Sequence, residues 1–296
     1  MALEKALPLL GLIFILPALA AAQEKIKFPV AASSKVLGYA PLWVASGKGF
    51  LKREGLDAEV TAIRGTAPTM QALVSDSIYV ALAANDAVIG LVEKGMDLVM
   101  IAAGAKTTHM IMGGKKYKTY EDLRGATIGS STLTSGTAFL LKRVLKSQGL
   151  EYPRDYKLIN VGGSGSAFTA LSTVVPNYLL SSFSVRREWA ADHREEVIRF
   201  LKAVLKARRW LDENKQEAAD FLAKDLDMKL ALARKGLNYY LDNRAWDPNL
   251  NIDMDGLKTV VEIYAEQADM KGPIPSPDKY VDLSYLKEAQ KELGWR

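Results

Sequence analysis

From residue 35 to about residue 170 the chain alternates short apolar runs with amphipathic stretches, and most junctions between them are polar, glycine-containing turns. This alternation constrains the fold more than any other feature. Strand–helix–strand units with short connections build a mostly parallel sheet covered by helices. The first unit reads as a strand at 35–39 and a helix over 41–54, with Pro41 in the helix's first turn and Gly55 as its stop. Strands follow at 58–63, 78–83 and 97–103, separated by helices opening at Gly65 and at Asp86. A second unit restarts the pattern with a helical turn at 119–123, a strand at 125–129 and a helix at 137–148 stopped by Gly149. It continues with a strand at 157–161 and a helix from Ala167. The C-terminal third reads as helical. Asp192 and Glu195 form a capping-box-like start, and Val197, Phe200, Leu201, Val204 and Leu205 recur on one helical face. Further helices are predicted over 215–226, 230–241, 256–269 and 284–293.

Ahead of the alternation lies an apolar run at 6–22, broken by Pro8, Gly11 and Pro17 and closed by Ala20-Ala21-Ala22. Its small-x-small end reads as a signal peptide over residues 1–22, with cleavage near Ala22. The run is short for a bilayer core of ~30 Å, and its prolines weaken it as a permanent span. No cysteine stands at the cleavage point, so a lipid anchor there is excluded and a soluble periplasmic protein is expected. The chain holds no cysteine at all, which also excludes disulfides, zinc ribbons, iron–sulfur clusters and thiol catalysis. Its two histidines, His109 and His193, are too few for a multi-histidine metal site. With 39 Lys and Arg against 34 Asp and Glu, the net charge of +5 suits anionic ligands better than nucleic acid. Arg194, Arg199, Lys202, Lys206 and Arg209 accordingly read as a solvated helix face rather than a nucleic-acid patch.

Open α/β sheets bind ligands beyond the carboxyl ends of their strands. The turns that qualify contribute Gly38, Tyr39 and Pro41; Arg64, Gly65 and Thr66; and Asn85 with Asp86. In the second unit they contribute Ser131, Thr134, Ser135 and Gly136, together with Ser164 in a Gly-Gly-Ser-Gly-Ser run at 162–166. Each turn leads into a helix N-terminus, where unpartnered N–H groups and converging peptide dipoles favour an anion. The same hydroxyls could equally serve as helix caps. Arg64 could pair with a carboxylate, sulfonate or phosphate, or simply be exposed. Tyr39 could offer a ring face to a cyclic ligand, whereas Trp43, one turn into its helix, reads as core. His193 reads as a structural residue at a helix cap, and His109 as a residue with a small claim on ligand contact. No G-x-S-x-G elbow, phosphate-binding loop or H-E-x-x-H motif occurs, so no catalytic residue, cofactor or metal is expected and the chain reads as a non-enzyme.

Pro-Leu-Trp-Val-Ala at 41–45 with Gly-Phe-Leu-Lys-Arg-Glu-Gly-Leu at 49–56 resembles the opening of solute-binding proteins of ABC importers, in the nitrate/sulfonate/taurine/thiamine-pyrimidine branch. The resemblance continues through Gln71-Ala72-Leu73-Val74-Ser75, residues 118–125 and Val185-Arg186-Arg187-Glu188-Trp189. It implies an α/β, two-lobed type II periplasmic binding fold with crossing segments near 110–114 and 178–185. The implied lobes are 23–111 plus 184–296, and 112–183. It further implies a monomeric receptor that closes over a small anionic or heteroaromatic solute and docks on a membrane permease. The chain departs from the family after residue 173, where about thirty residues of the family pattern are missing. A shortened second lobe, lacking a strand and a helix, should then expose an unpaired edge or an apolar patch. Two alternatives stand beside the receptor. One is an enzyme on the same scaffold, a hydrolase or lyase or a pyrimidine-synthase-like protein, whose cysteine-rich segment this chain lacks. The other is a truncated relative that binds nothing.

Overall fold

A computed structural model of the chain describes residues 26–106, 110–111, 116–130, 133, 136–160, 171–172 and 178–295. The strands are β1 (Ile26–Ala32), β2 (Leu56–Ala62), β3 (Val80–Ala84), β4 (Leu98–Ala103), β5 (Met110–Ile111), β6 (Thr127–Ser130), β7 (Lys157–Asn160), β8 (Leu171–Ser172) and β9 (Ser181–Arg186). The helices are α1 (Ala40–Gly47), α2 (Phe50–Arg53), α3 (Thr66–Val74), α4 (Asn85–Glu93), α5 (Gly136–Ser147) and α6 (Arg187–Asp192). The C-terminal layer adds α7 (Arg194–Glu213), α8 (Lys215–Asp225), α9 (Leu230–Asp242), α10 (Met254–Gln267) and α11 (Ser284–Glu292).

Five strands form the main sheet in the order β2-β1-β3-β9-β4. β1 runs parallel to β2 and β3, whereas β9 is antiparallel to both β3 and β4. Alternate residues feed two cores, as a sheet buried on both faces requires. Phe28, Val30, Val80, Leu82, Val99, Phe183 and Val185 pack toward α1, α7, α8 and α11. Ala31, Ala81, Ala83, Leu98 and Met100 pack toward α3, α4 and α10. Beyond the main sheet, β6 and β7 form a parallel pair over a small core of Leu123, Leu145, Leu150, Tyr156 and Leu158. Ile159 on β7 is 47% exposed.

The strands expected at 58–63, 78–83, 97–103, 125–129 and 157–161 are present within two residues, as are all four late helices. Four expectations are corrected. The strand read at 35–39 is a 3-10 turn over Leu37–Tyr39, and the first strand is β1, just ahead of it. The single helix read over 41–54 is broken at Lys48 and Gly49, because Gly49 takes a left-handed φ of 73° and α2 starts anew. Asp192 ends α6 instead of capping α7; the junction is His193, and among the described residues no side chain caps the longer helix. Finally, Leu171 and Ser172, read as part of a helix from Ala167, pair antiparallel with Ile111 and Met110.

Helix α7 shows why its sequence reads so clearly. Val197, Phe200, Leu201, Val204 and Leu205 are fully buried. The opposite face is neutralised within the molecule: Arg194 pairs with Glu288, Arg199 with Glu195, Lys202 with Glu54 and Glu292, and Lys206 with Glu54. Arg209 lies 3.5 Å over the Trp295 ring. His193 stacks on Trp189 at 4.7 Å and sits 2.9 Å from the Trp189 carbonyl through Nδ1.

A corner of phenols and hydroxyls at the strand ends

The chain leaves the main sheet through 104–106 and returns through 179–181, and the two passages are bonded to each other. The Gly104 N–H donates to Ser181 O (2.9 Å), and the Leu180 and Ser181 N–H groups both donate to Ala105 O (3.0 and 3.2 Å). The Ser181 hydroxyl accepts the Ala105 N–H at 3.1 Å, and Lys106 and Leu179 form a lone antiparallel bridge. Asp253 anchors this junction to α10. It caps the helix through the Gly256 N–H (3.1 Å) and holds Lys106 at 2.8 Å. Burial works against ionisation of Asp253, but Lys106 and the helix N–H groups outweigh it and hold the carboxyl below its ordinary range.

Beside this junction the carboxyl ends of β1, β2 and β3 form a corner. Ser33 is its knot: its N–H donates to Leu82 O (2.9 Å), its carbonyl accepts the Gly65 N–H (3.0 Å), and its hydroxyl lies 3.1 Å from the Tyr39 hydroxyl. Tyr39 is only 7% exposed, which settles it as a buried phenol with its hydroxyl in the corner rather than an open ring face. Burial raises its pKa, Ser33 and Ser181 hydrogen bonds partly offset that, and Tyr240 and Asp86 raise it further. Tyr178 is raised for the same first reason, with Asp86 adding to it. Both phenols therefore stay protonated at neutral pH and act as neutral donors.

The expected site residues fall into three groups. Gly38, Tyr39 and Pro41 follow β1, with Pro41 buried at the second position of α1. Gly65 and Thr66 open α3, with Gly65 at φ 107°, a conformation that favours glycine; Arg64 is exposed and without hydrogen bond or ion pair among the described residues. Asn85 opens α4 and is fully buried. Its N–H donates to Leu180 O (3.0 Å) and its Nδ2 to Leu179 O (2.9 Å), while Oδ1 has no partner among the described residues. Asp86 follows in the first turn, close enough to Tyr39 and Tyr178 to act on both phenols. These three turns converge on one corner. Gly136 is the first residue of α5. Ser131, Thr134, Ser135, Ser164 and His109 lie outside the described residues.

Sequence reading missed Ser33, Tyr178, Ser181 and Tyr240. Trp43, read as core, is 5% exposed and donates its indole N–H to Val36 O at 3.0 Å. Two surface hollows of about 240 and 430 Å3 lie elsewhere, one beside Lys116, Asp122 and Arg124 and the other beside Lys287, Lys291 and Trp295. Among the described residues no group of three or more His, Asp or Glu side chains is placed to hold a metal ion, and no helix is long and apolar enough to cross a membrane.

A main sheet whose penultimate strand by position returns antiparallel after a long excursion, with a donor-lined corner beside the exit and re-entry points, defines a protein of the periplasmic binding protein fold. Within that class, residues 37–175 match the family described as NMT1/THI5 like. The periplasmic nitrate-binding protein NrtA from Synechocystis PCC 6803 superposes with a TM-score of 0.73 at 18% identity, over 91% of this chain and 89% of that one. The ligand-binding component of an ABC-type import system from Staphylococcus aureus, solved with zinc bound, gives a TM-score of 0.69 at 15% identity, over 90% and 99%. In sequence, YtlA of Bacillus subtilis (strain 168), described as a binding protein, is 23% identical with 95% of each chain covered. The periplasmic binding fold expected from the resemblance is thus met, and the relative found in sequence is itself described as a binding protein.

Proposed function

We propose that this chain is an extracytoplasmic solute-binding receptor of an ABC importer, which captures a small anionic or heteroaromatic solute between two lobes and presents it to a membrane permease. The observation that carries the reading is the bonded junction of 104–106 with 179–181: two adjacent crossings are what a hinge between lobes needs. The lobes divide at that junction, a few residues ahead of the bounds 23–111 with 184–296, and 112–183, expected from the resemblance, because β9 already belongs to the main sheet from Ser181. Residues 1–22 serve as a signal peptide removed near Ala22, and the mature protein works in the periplasm as a monomer. Gly38, Tyr39, Pro41, Arg64, Gly65, Thr66, Asn85 and Asp86 provide one wall of the ligand site. Ser131, Thr134, Ser135, Gly136 and Ser164 provide the other. NrtA, named for nitrate, supports a small anion, and the neutral phenol donors of the corner suit acceptor atoms of either an oxyanion or a heteroaromatic ring.

The mechanism is closure without covalent chemistry. Contacts made by both walls exist only in the closed form, so a solute stabilises that form by its differential affinity for it. Binding also stabilises the native state by RT ln(1 + [L]/Kd), about 2.7 kcal/mol at one hundred times Kd. Thermal melts with nitrate, taurine, other sulfonates and pyrimidines test the reading. A concentration-dependent rise in Tm with one of them supports it, and no rise with any overturns it. In calorimetry, Thr134→Ala with Ser135→Ala weakens binding; unchanged affinity would reduce that loop to a helix cap.

A further inference from the structure

Helix α9 crosses the turn after β1 through a reciprocal pair of glycines. A Cβ added at Gly38 on the turn would stand 3.1 Å from the Tyr240 hydroxyl on the helix, and one added at Gly236 on the helix would run into Leu37 on the turn. Gly236 and Tyr240 are four residues apart and share one helical face. Neither Gly38 nor Gly236 has a positive φ, so these glycines provide close approach rather than backbone freedom. The ring of Tyr240 is fixed as well. It stacks on Trp246 at 4.5 Å and 29°, and the Trp246 indole N–H donates to Gly38 O at 2.7 Å. Buried Arg208 holds Trp246 in turn, donating from Nη2 to its carbonyl at 3.2 Å while Nη1 binds Asp212. The segment after α9 then joins the crossing, where the Lys106 N–H donates to Ala245 O at 2.7 Å.

We propose that Tyr240, which lies outside the stretch matched by the family, is a ligand-contacting residue, its hydroxyl set at the Gly38–Tyr39 turn to donate a hydrogen bond to an acceptor atom of the solute. This rests on the receptor reading above. The chemistry recognised is a hydrogen-bond acceptor without need of a protein cation, either an oxyanion oxygen or a ring nitrogen. Tyr240 acts on the pKa of Tyr39, which places the two phenols at the same corner.

The test compares the wild-type chain with Tyr240→Phe, Gly38→Ala and the double variant, using nitrate and taurine as oxyanion probes and 4-aminopyrimidine as the ring-nitrogen probe. Tyr240→Phe keeps the ring on Trp246, so its unliganded melt stays close to wild type. Its affinity for the probe that stabilises the wild type falls about 3- to 10-fold, the range for one lost hydrogen bond. Gly38→Ala displaces the same hydroxyl and weakens binding similarly, and it adds little once the hydroxyl is gone. Unchanged affinity in Tyr240→Phe, or losses that simply add in the double variant, overturns the Tyr240 assignment and leaves the receptor reading standing. A wild type that responds to none of the probes overturns both.

Discussion

The hydroxyls of Ser33 and Tyr39 lie 3.1 Å apart, and with them the ends of β1, β2 and β3 are tied into one corner. Both residues are buried, at 7% exposure each, so neither hydroxyl has ready recourse to water. Tyr39→Phe leaves the Ser33 hydroxyl short of a partner and is expected to lower stability by about 1 kcal/mol. Adding Ser33→Ala removes the orphan, so the double variant loses less than the sum of the single losses. Urea unfolding of the four proteins measures this coupling; strict additivity would mean that the two hydroxyls do not interact.

Much of the sheet was legible because alternation reports burial residue by residue, as in Val80-Ala81-Leu82-Ala83 with its side chains shared between two cores. β1 escaped notice because Pro29 argues against a strand. Its missing N–H falls just before the β1–β3 ladder, which starts at Val30, so that ladder loses nothing. The turns around Gly65 and Asn85 were legible for a similar reason, since each follows a strand read from its alternation, whereas the turn at Gly38 was read behind a strand at 35–39 that is itself the turn. Ser33, Ser181 and Tyr240 were not legible. Ser33 directly follows β1, the strand that escaped notice, whereas Ser181 and Tyr240 reach the corner through the antiparallel return of β9 and the packing of α9 on the first turn, and no local pattern records a contact as distant in sequence as that of Gly38 with Tyr240. The break at Gly49 was illegible because a 47–49 segment with two glycines still reads as helix when flanked by apolar residues at helical spacing.

Gly104 is expected to be intolerant of even one methyl group. An added Cβ would stand 2.6 Å from the Ser181 hydroxyl, 2.7 Å from Leu82 Cδ1 and 3.1 Å from Ser181 O. The last of these is main chain that also accepts the Gly104 N–H, so it cannot retreat without loosening the junction of the two crossings. Gly104→Ala should destabilise by about 1–3 kcal/mol, as overpacking in a dense interior does. A shift in the chemical-denaturation midpoint measures it, and a variant as stable as wild type would contradict the close approach.

Ser184 presents the opposite case. It is fully buried on β9 between Ala81 and Met100, and its hydroxyl has no partner among the described residues. A buried hydroxyl without a hydrogen bond carries an uncompensated desolvation cost. Ser184→Ala is therefore expected to leave stability unchanged or raise it by up to about 1 kcal/mol, against the usual loss for a core substitution. A thermal melt decides the sign; a clear loss would mean that the hydroxyl is bonded in solution.

Asp155 sets an acid limit on the β6–β7 unit. Arg154 binds its carboxylate (2.8 Å from Nη2), the Glu151 N–H donates to it at 2.8 Å, and Arg124 adds a third contact at 2.7 Å. These bonds, led by that from Arg154, lower its pKa from 3.8 to about 2. A depressed carboxylate stabilises the fold above its unfolded pKa, and that contribution fades as the pH falls through the folded value. Stability from Asp155 is therefore complete above pH 3.8 and is lost on descent toward about 2. Asp155→Asn removes the ionisable partner of both arginines, so it should lower Tm at pH 7 and flatten the fall in Tm between pH 5 and pH 2. Melts of both proteins across that range test the point, and parallel curves would show that Asp155 contributes nothing to acid unfolding.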